Sequence, residues 1–288
     1  MPTFRAADQT LLHYDEHDDE HGDEHGEGRP LIALAGGAAC HPSYLGDLAG
    51  LSGRLIVPHL RGVGLSPAPD DPRQGSYWQQ SEDLEALREH LGLDRLALTG
   101  HSAGTRIAVA YAARHPERIE RMLLITPRTE YLVDEPSDLD DLLEKRAKLE
   151  LEFGAALAAR EAGPDLSDPA AAQDRFNEWQ RECAPFGYAA WTAAEQDHAR
   201  TMHYYLTAAQ AFFSVDPPAD LAERLRAVTA PVLALAGAED CSLGVAPVRA
   251  LAALFPAGDV AVLDRCGHFP WVERPAEFRQ AAEKFLAG

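Results

Sequence analysis

The sequence predicts an α/β protein built on a mostly parallel, doubly wound sheet, and three observations predict it. Short apolar runs at 31–34, 55–58 and 95–98 each lead into a glycine-containing turn, with helical patterns following in series. That recurrence marks parallel strands joined by crossover helices. From about 127 to 216 the strand pattern vanishes into segments rich in Leu, Ala, Glu and Arg, which reads as a helical cap inserted after the sixth strand. The alternation resumes near 221 and runs to the end, so the expected division is a core of 1–126 and 217–288 and a cap of 127–216.

Taken in order, Thr3 to Ala6 and Leu11 to Tyr14 read as an antiparallel hairpin at a sheet edge, turning at Asp8 and Gln9. Asp15 to Gly28 is a tract of acids, glycines and three histidines, His17, His21 and His25. Gly22 and Gly26 oppose a helix that would align the imidazoles for a metal, so a solvated, mobile loop is expected. Leu31 to Leu34 is a buried strand, Tyr44 to Leu51 a first helix, Leu55 to Pro58 the next strand and Trp78 to Leu91 a helix stopped by Gly92. Arg95 to Leu98 and Arg118 to Thr126 are buried strands on either side of a helix at Ala103 to Arg114. After the inserted helices at 138–161 and 170–214, helical Leu221 to Val228, a strand from Pro231, a helix at Val248 to Phe255, a strand at Asp259 to Leu263 and a final helix at Pro275 to Leu286 complete the chain.

Composition bounds the function. With 288 residues and 46% hydrophobic content the chain can fill a sizeable core and fold alone. Its formal charge of −20, with no basic cluster, opposes phosphate backbones and anionic lipid and excludes nucleic acid as a partner. No apolar run approaches the roughly 20 residues needed to span a bilayer, and the first residues lack an apolar signal core, so a cytoplasmic protein without membrane contact is expected. Cys40, Cys183, Cys241 and Cys266 are scattered, without a C-x-x-C pair, and read as free, mostly buried thiols.

The stretch that carries chemistry is G-H-S-A-G at 100–104, directly after a strand and before a helix. Glycines there permit a tight, strained turn that presents the Ser102 hydroxyl to a base and a substrate. Serine is a poor nucleophile at neutral pH; it needs a base in hydrogen-bond reach, and the base needs an acceptor on its other nitrogen. In an open parallel sheet the carboxyl ends of the strands form one rim, so Gly37, Ser102, Asp240 and His268, each just past a strand, gather there. Glu239 and Asp264 compete with Asp240 for the acid's place. The glycine-rich turn at 35–39 could bring backbone N–H groups against an oxyanion.

Four motifs carry a resemblance: G-H-S-A-G at 100–104, H-L-R-G-V-G-L-S at 59–66, G-A-E-D at 237–240 and G-H-F-P-W at 267–271. With them, over essentially its whole length, the chain resembles a capped enzyme of the α/β-hydrolase fold. Two positions depart from the usual pattern: His59 replaces the aspartate of D-x-R-G-x-G-x-S, and Ala35-Gly-Gly-Ala replaces an H-G-G-P-G or H-G-x loop. The resemblance implies Ser102 as nucleophile, His268 as base, Asp240 as orienting acid, and the backbone N–H groups of Gly37 and Ala103 as oxyanion donors. His101, inside the elbow, is expected to pack the turn. Serine at 102 argues against dehalogenase and epoxide hydrolase chemistry, which uses aspartate on this fold. Acyl transfer to water then needs no metal or organic cofactor.

The glycine-rich entry loop and the helical insertion resemble the proline iminopeptidase branch, whose cap acids hold a substrate's free amine. Glu178, Glu182, Glu195 and Asp197 are available for that role among aromatics that suit either an apolar pocket or the seam between cap and core. Trp179, Glu182, Tyr205 and Phe269 are the candidate substrate contacts. The function expected is a serine hydrolase of a small ester, lactone, thioester or amide, with a small molecule or short peptide as partner. An aminopeptidase recognising a free N-terminal amine is the alternative within that class. A noncatalytic receptor that keeps the fold is the alternative outside it, and it has no need of a complete nucleophile, base and acid. Nothing in the sequence speaks to oligomeric state.

Overall fold

A computed structural model describes residues 2–17 and 30–288. Its sheet contains β1 (Thr3–Arg5), β2 (Leu11–His17), β3 (Leu31–Leu34), β4 (Leu55–Pro58), β5 (Leu96–His101), β6 (Ile119–Ile125), β7 (Val232–Gly237) and β8 (Gly258–Leu263). The spatial order is β1-β2-β4-β3-β5-β6-β7-β8. Only β1 with β2 and β2 with β4 pair antiparallel; the remaining pairs are parallel. β3, β5 and β7 are buried along their whole length, as apolar runs without alternation require when both faces are covered.

Side chains alternate across the sheet. Ile32, Leu34 and Leu98 pack against α1 (Tyr77–His90) and α2 (Gly104–Arg114) through Leu84, Leu87 and Ile107. Leu31, Ala33 and Ala97 face the other way, toward Leu45, Leu48 and the last helix. Truncating a fully buried leucine such as Leu98 to alanine costs about 2–5 kcal/mol. One ion cluster ties the first turns to this face: Arg61 donates to both carboxylate oxygens of Asp83, at 2.7 and 2.8 Å, and to Asp8 at 2.6 Å.

Between β6 and β7 lie α3 (Asp140–Leu149), α4 (Leu151–Ala162), α5 (Ala172–Cys183), α6 (Ala193–Thr201), α7 (Leu206–Phe212) and α8 (Leu221–Arg224). α9 (Ala246–Ala252) joins β7 to β8, and α10 (Pro270–Glu273) and α11 (Pro275–Leu286) close the chain. The short α10 was not expected from the sequence.

Two expectations are corrected. No α-helix forms at 44–51. A single 3-10 turn at Pro42–Leu45 is followed by left-handed backbone at Gly46, Leu48, Ala49 and Gly50, a path that two glycines within five residues favour over a helix. The segment still buries Tyr44, Leu45 and Leu48. Nor does the acidic loop begin at Asp15: Tyr14 to His17 extend β2 and pair with Pro58 to Leu55, held by Asp15 on His59 at 3.1 Å and by Glu16 on Arg54. The rest of that tract, with His21 and His25, lies outside the described residues.

Candidate active site

Ser102 follows β5 in left-handed backbone, with φ of 52°, a conformation that costs a non-glycine residue about 1–3 kcal/mol. The turn is held by the backbone groups of Ser102. The Ser102 N–H donates to the Ile125 carbonyl at 2.9 Å, and the Ser102 carbonyl accepts from the Thr105 N–H at 3.1 Å and hydroxyl at 2.5 Å. Gly104 lets α2 start against β3, since a Cβ there would lie 2.4 Å from the Leu34 carbonyl oxygen.

His268 stands after β8, and its Nδ1 meets Asp240 Oδ2 at 2.6 Å, with Asp240 only 2% exposed. A carboxylate only accepts, so Nδ1 carries the proton and Nε2 is left free to accept one. Asp240 Oδ1 accepts from the Ser242 N–H at 3.0 Å, which fixes the carboxylate beyond β7. Asp264 is exposed, and the Glu239 backbone N–H is bound to the Cys266 carbonyl at 2.8 Å; neither side chain is hydrogen-bonded to His268.

Gly37 lies beyond β3 in left-handed backbone, φ 68°, where a Cβ would meet the Tyr204 ring at 2.6 Å. Among the described residues the N–H groups of Gly37 and Ala103 meet no acceptor. Gly37, Ser102 and His268 line one cavity of about 170 Å³.

A relay behind the cavity joins its parts. His101 Nε2 faces the His268 carbonyl at 2.9 Å, an acceptor only, so that nitrogen donates. Nδ1 then accepts the Tyr44 O–H at 2.7 Å, and the Tyr44 oxygen accepts the Gly36 N–H at 2.7 Å. Burial, reinforced by the proximity of His268, holds the His101 pKa well below the usual imidazole range, so the ring stays neutral and this tautomer persists. Gly36, the elbow and the histidine loop are thus one hydrogen-bonded unit. His101 does pack the turn, against Trp271 and Phe269 with centroids 4.8 and 5.1 Å away, and also links the turn to its neighbours.

Glu273 holds the histidine loop from below. Its carboxylate accepts the N–H groups of Gly267 at 3.0 and 3.1 Å, Phe269 at 3.2 Å and Ala189 at 2.7 Å. Burial pushes its pKa up to about 7 against those bonds. Two further seams bind the insertion to the rim. His41 N–H donates to the His203 carbonyl at 2.7 Å and Tyr205 N–H to the Ala39 carbonyl at 3.1 Å, while His268 N–H donates to the Gly187 carbonyl at 2.7 Å.

Of the expected substrate contacts only Phe269 lines the cavity. Trp179 donates its indole N–H to the Ala159 carbonyl at 2.8 Å and stacks on Phe176, Glu182 is exposed, and Tyr205 lines a separate groove beside Gly62. The first is tied up in helix packing, and the other two are not among the residues that line the cavity. The remaining insertion acids do not reach the cavity either. Glu178 is exposed, Glu195 is bound to Thr192 at 2.8 and 2.5 Å, and Asp197 pairs with Arg200. Arg128, Arg160, Arg181 and Tyr204 do line it; Tyr204 is one of the insertion aromatics that suit a pocket, whereas sequence reasoning missed the three arginines together with Tyr44 and Glu273. His59, where the loop motif departs, accepts the Leu65 N–H at 3.2 Å and faces Asp15, a turn-holding role. The four cysteines are free, and no cluster of three or more His, Cys, Asp or Glu side chains suited to a metal occurs among the described residues. Nor is any described helix long and apolar enough to cross a membrane.

A family model described as alpha/beta hydrolase fold matches residues 29–275. A probable proline iminopeptidase of Leptolyngbya boryana is 32% identical over 99 residues, 34% of this chain and 31% of its own length. A proline iminopeptidase of Lactobacillus helveticus is 27% identical over 287 residues, 90% of either chain. Among solved structures, the esterase RhEst1 of Rhodococcus sp. ECU1013 superposes with a TM-score of 0.74 at 20% identity, over 100% of this chain and 98% of that one, a likeness of fold.

Proposed function

The chain belongs to the α/β-hydrolase fold family and is an enzyme of that class, and from this premise we propose that it is a serine hydrolase acting through an acyl-enzyme on Ser102. The observation that carries the reading is the 2.6 Å bond from His268 to buried Asp240 in a base that shares its cavity with a strained, left-handed Ser102. Ser102 Oγ attacks the substrate carbonyl while His268 Nε2 takes its proton, and the negative oxygen settles against the N–H groups of Gly37 and Ala103. His268 then returns the proton to the leaving alcohol, thiol or amine as the carbonyl–heteroatom bond breaks. A water, deprotonated by the same nitrogen, cleaves the Ser102 ester and releases the acid. Asp240 keeps the ring in the required tautomer throughout.

A small ester, lactone or thioester suits the site. Phe186, Met202 and Phe269 give the cavity an apolar wall suited to a short acyl chain. Likeness to proline iminopeptidases favours an amide bearing a free amine as a second reading. That reading asks for a carboxylate facing the bound amine, and the described lining contains neither aspartate nor glutamate. A panel of p-nitrophenyl esters and aminoacyl-p-nitroanilides separates the two. Fluorophosphonate labelling tests the serine itself: the wild type is labelled and Ser102→Ala is not, whereas an unlabelled wild type overturns the hydrolase mechanism.

A further inference from the structure

The cavity above Ser102 collects positive charge in a strongly acidic protein. Lys and Arg number 26 against 46 Asp and Glu, yet the described lining carries Arg128, Arg160 and Arg181 and no carboxylate. Nearby acids are already engaged. Glu130 Oε1 accepts from Arg128 at 3.0 and 3.1 Å and from Arg106 at 2.7 Å, so one carboxylate serves two guanidinium groups. Asp240, the other acid whose field reaches Arg160, is bonded to His268. Among the described residues Arg160 and Arg181 have no ion-pair partner.

Arg160 is also held in place. Its guanidinium carbon sits 4.7 Å from the Phe186 ring centroid, and Phe186 stacks on Phe153. Arg160 as a residue is exposed, yet partial burial of its guanidinium head and then the like charge of Arg128 lower its pKa. A partly desolvated cation beside a second cation is a cost to the empty protein, and an anion between them removes it. Planar guanidinium groups match a carboxylate in two parallel hydrogen bonds.

We infer that the substrate carries a free carboxylate, received by Arg160 and Arg128 while its ester or lactone carbonyl lies at Ser102. The inference rests on the serine-hydrolase reading and narrows it to half-esters of small dicarboxylic acids or lactones of small hydroxy-dicarboxylic acids. The arginines bind and orient the substrate and take no part in bond cleavage.

Two assays of the full chain separate the failure of this inference from the failure of the hydrolase reading. In the first, mono-4-nitrophenyl glutarate is compared with its methyl ester, 4-nitrophenyl methyl glutarate. Wild type prefers the acid by about tenfold or more in kcat/KM, and the preference falls about tenfold in Arg160→Gln and in Arg128→Gln but is partly kept in Arg160→Lys. In the second, Ser102→Ala is titrated calorimetrically with monomethyl and dimethyl glutarate, a measurement that needs no turnover. The monomethyl compound binds about tenfold more tightly, and adding Arg160→Gln removes the difference. Equal rates on the two nitrophenyl esters, or equal or absent binding of the two glutarates, overturns the carboxylate site. Selective binding of monomethyl glutarate by a protein that cleaves neither nitrophenyl ester and takes no fluorophosphonate supports the site and overturns the hydrolase reading alone.

Discussion

The strand-end rim and the inserted helices reach the same cavity by different physical routes. On the rim, Gly37, Ser102, Asp240 and His268 stand where the backbone must turn at the carboxyl ends of β3, β5, β7 and β8, so the sheet brings them together whatever their side chains are. On the insertion, position depends on the rotation of a helix or the pleat of an extended segment. Arg181 lines the cavity while Glu182, one residue and about 100° further round α5, does not. Tyr204 lines it while Tyr205, on the opposite side of an extended stretch, faces another groove. The rim therefore brings the right short segments together from topology alone, whereas on the insertion even the segment's facing depends on single-residue rotation.

Substitutions at the rim should be severe and those on the insertion graded, and the contrast can be broken at each level. Ser102→Ala is expected to lose all measurable ester turnover, and Asp240→Asn to lose on the order of 10³–10⁴ in kcat with the fold retained by circular dichroism. If Asp264→Asn were the damaging change, the strand-end assignment would fail. Tyr44→Phe comes next. It strands the Gly36 N–H and His101 Nδ1, so kcat should fall about tenfold and Tm by roughly 2–5 °C, and an unchanged kcat would show that the relay does not position the loop.

Glu273→Gln probes one of the seams by pH. The folded protein holds the Glu273 proton up to about pH 7, against 4.5 ordinarily, so the stability from this group is full below pH 4.5 and is lost as pH rises to about 7. The Tm advantage of wild type over Glu273→Gln should consequently be larger at pH 5 than at pH 8, and a constant gap would remove Glu273 from the titration. Smallest are the exposed or packed insertion residues: Glu182→Gln and Trp179→Phe should alter kcat/KM by less than about twofold. A tenfold loss on an aminoacyl-p-nitroanilide in Glu182→Gln would instead revive amine recognition.

The same contrast explains what could be read in the chain. Eight strands and the helical insertion after the sixth follow from apolar runs and glycine turns, and those are properties of backbone and composition. Asp240 could be preferred over Glu239 and Asp264 only by resemblance, because all three stand near strand ends and hydrogen-bond reach decides among them. Tyr44 was hidden by its expected place in a helix, and its role depends on a 3-10 turn that points the phenol at the elbow. Glu273 left a single faint signal, an acid five residues after His268, and its role depends on the short α10 that ends at it. The arginines left no signal: in a chain with 26 basic residues, nothing in spacing separates those that face a cavity from those that face water.

The pairing of His41 and Ala39 with His203 and Tyr205 ties the insertion to the turn that carries Gly37. Any outward swing of the stretch near 204 must either break both of these backbone hydrogen bonds or carry Ala39 with it, and Gly37 is two residues away. The two backbone hydrogen bonds therefore couple the position of the stretch near 204 to that of the Gly37 turn, so a change in the insertion is felt at the rim without any contact to Ser102.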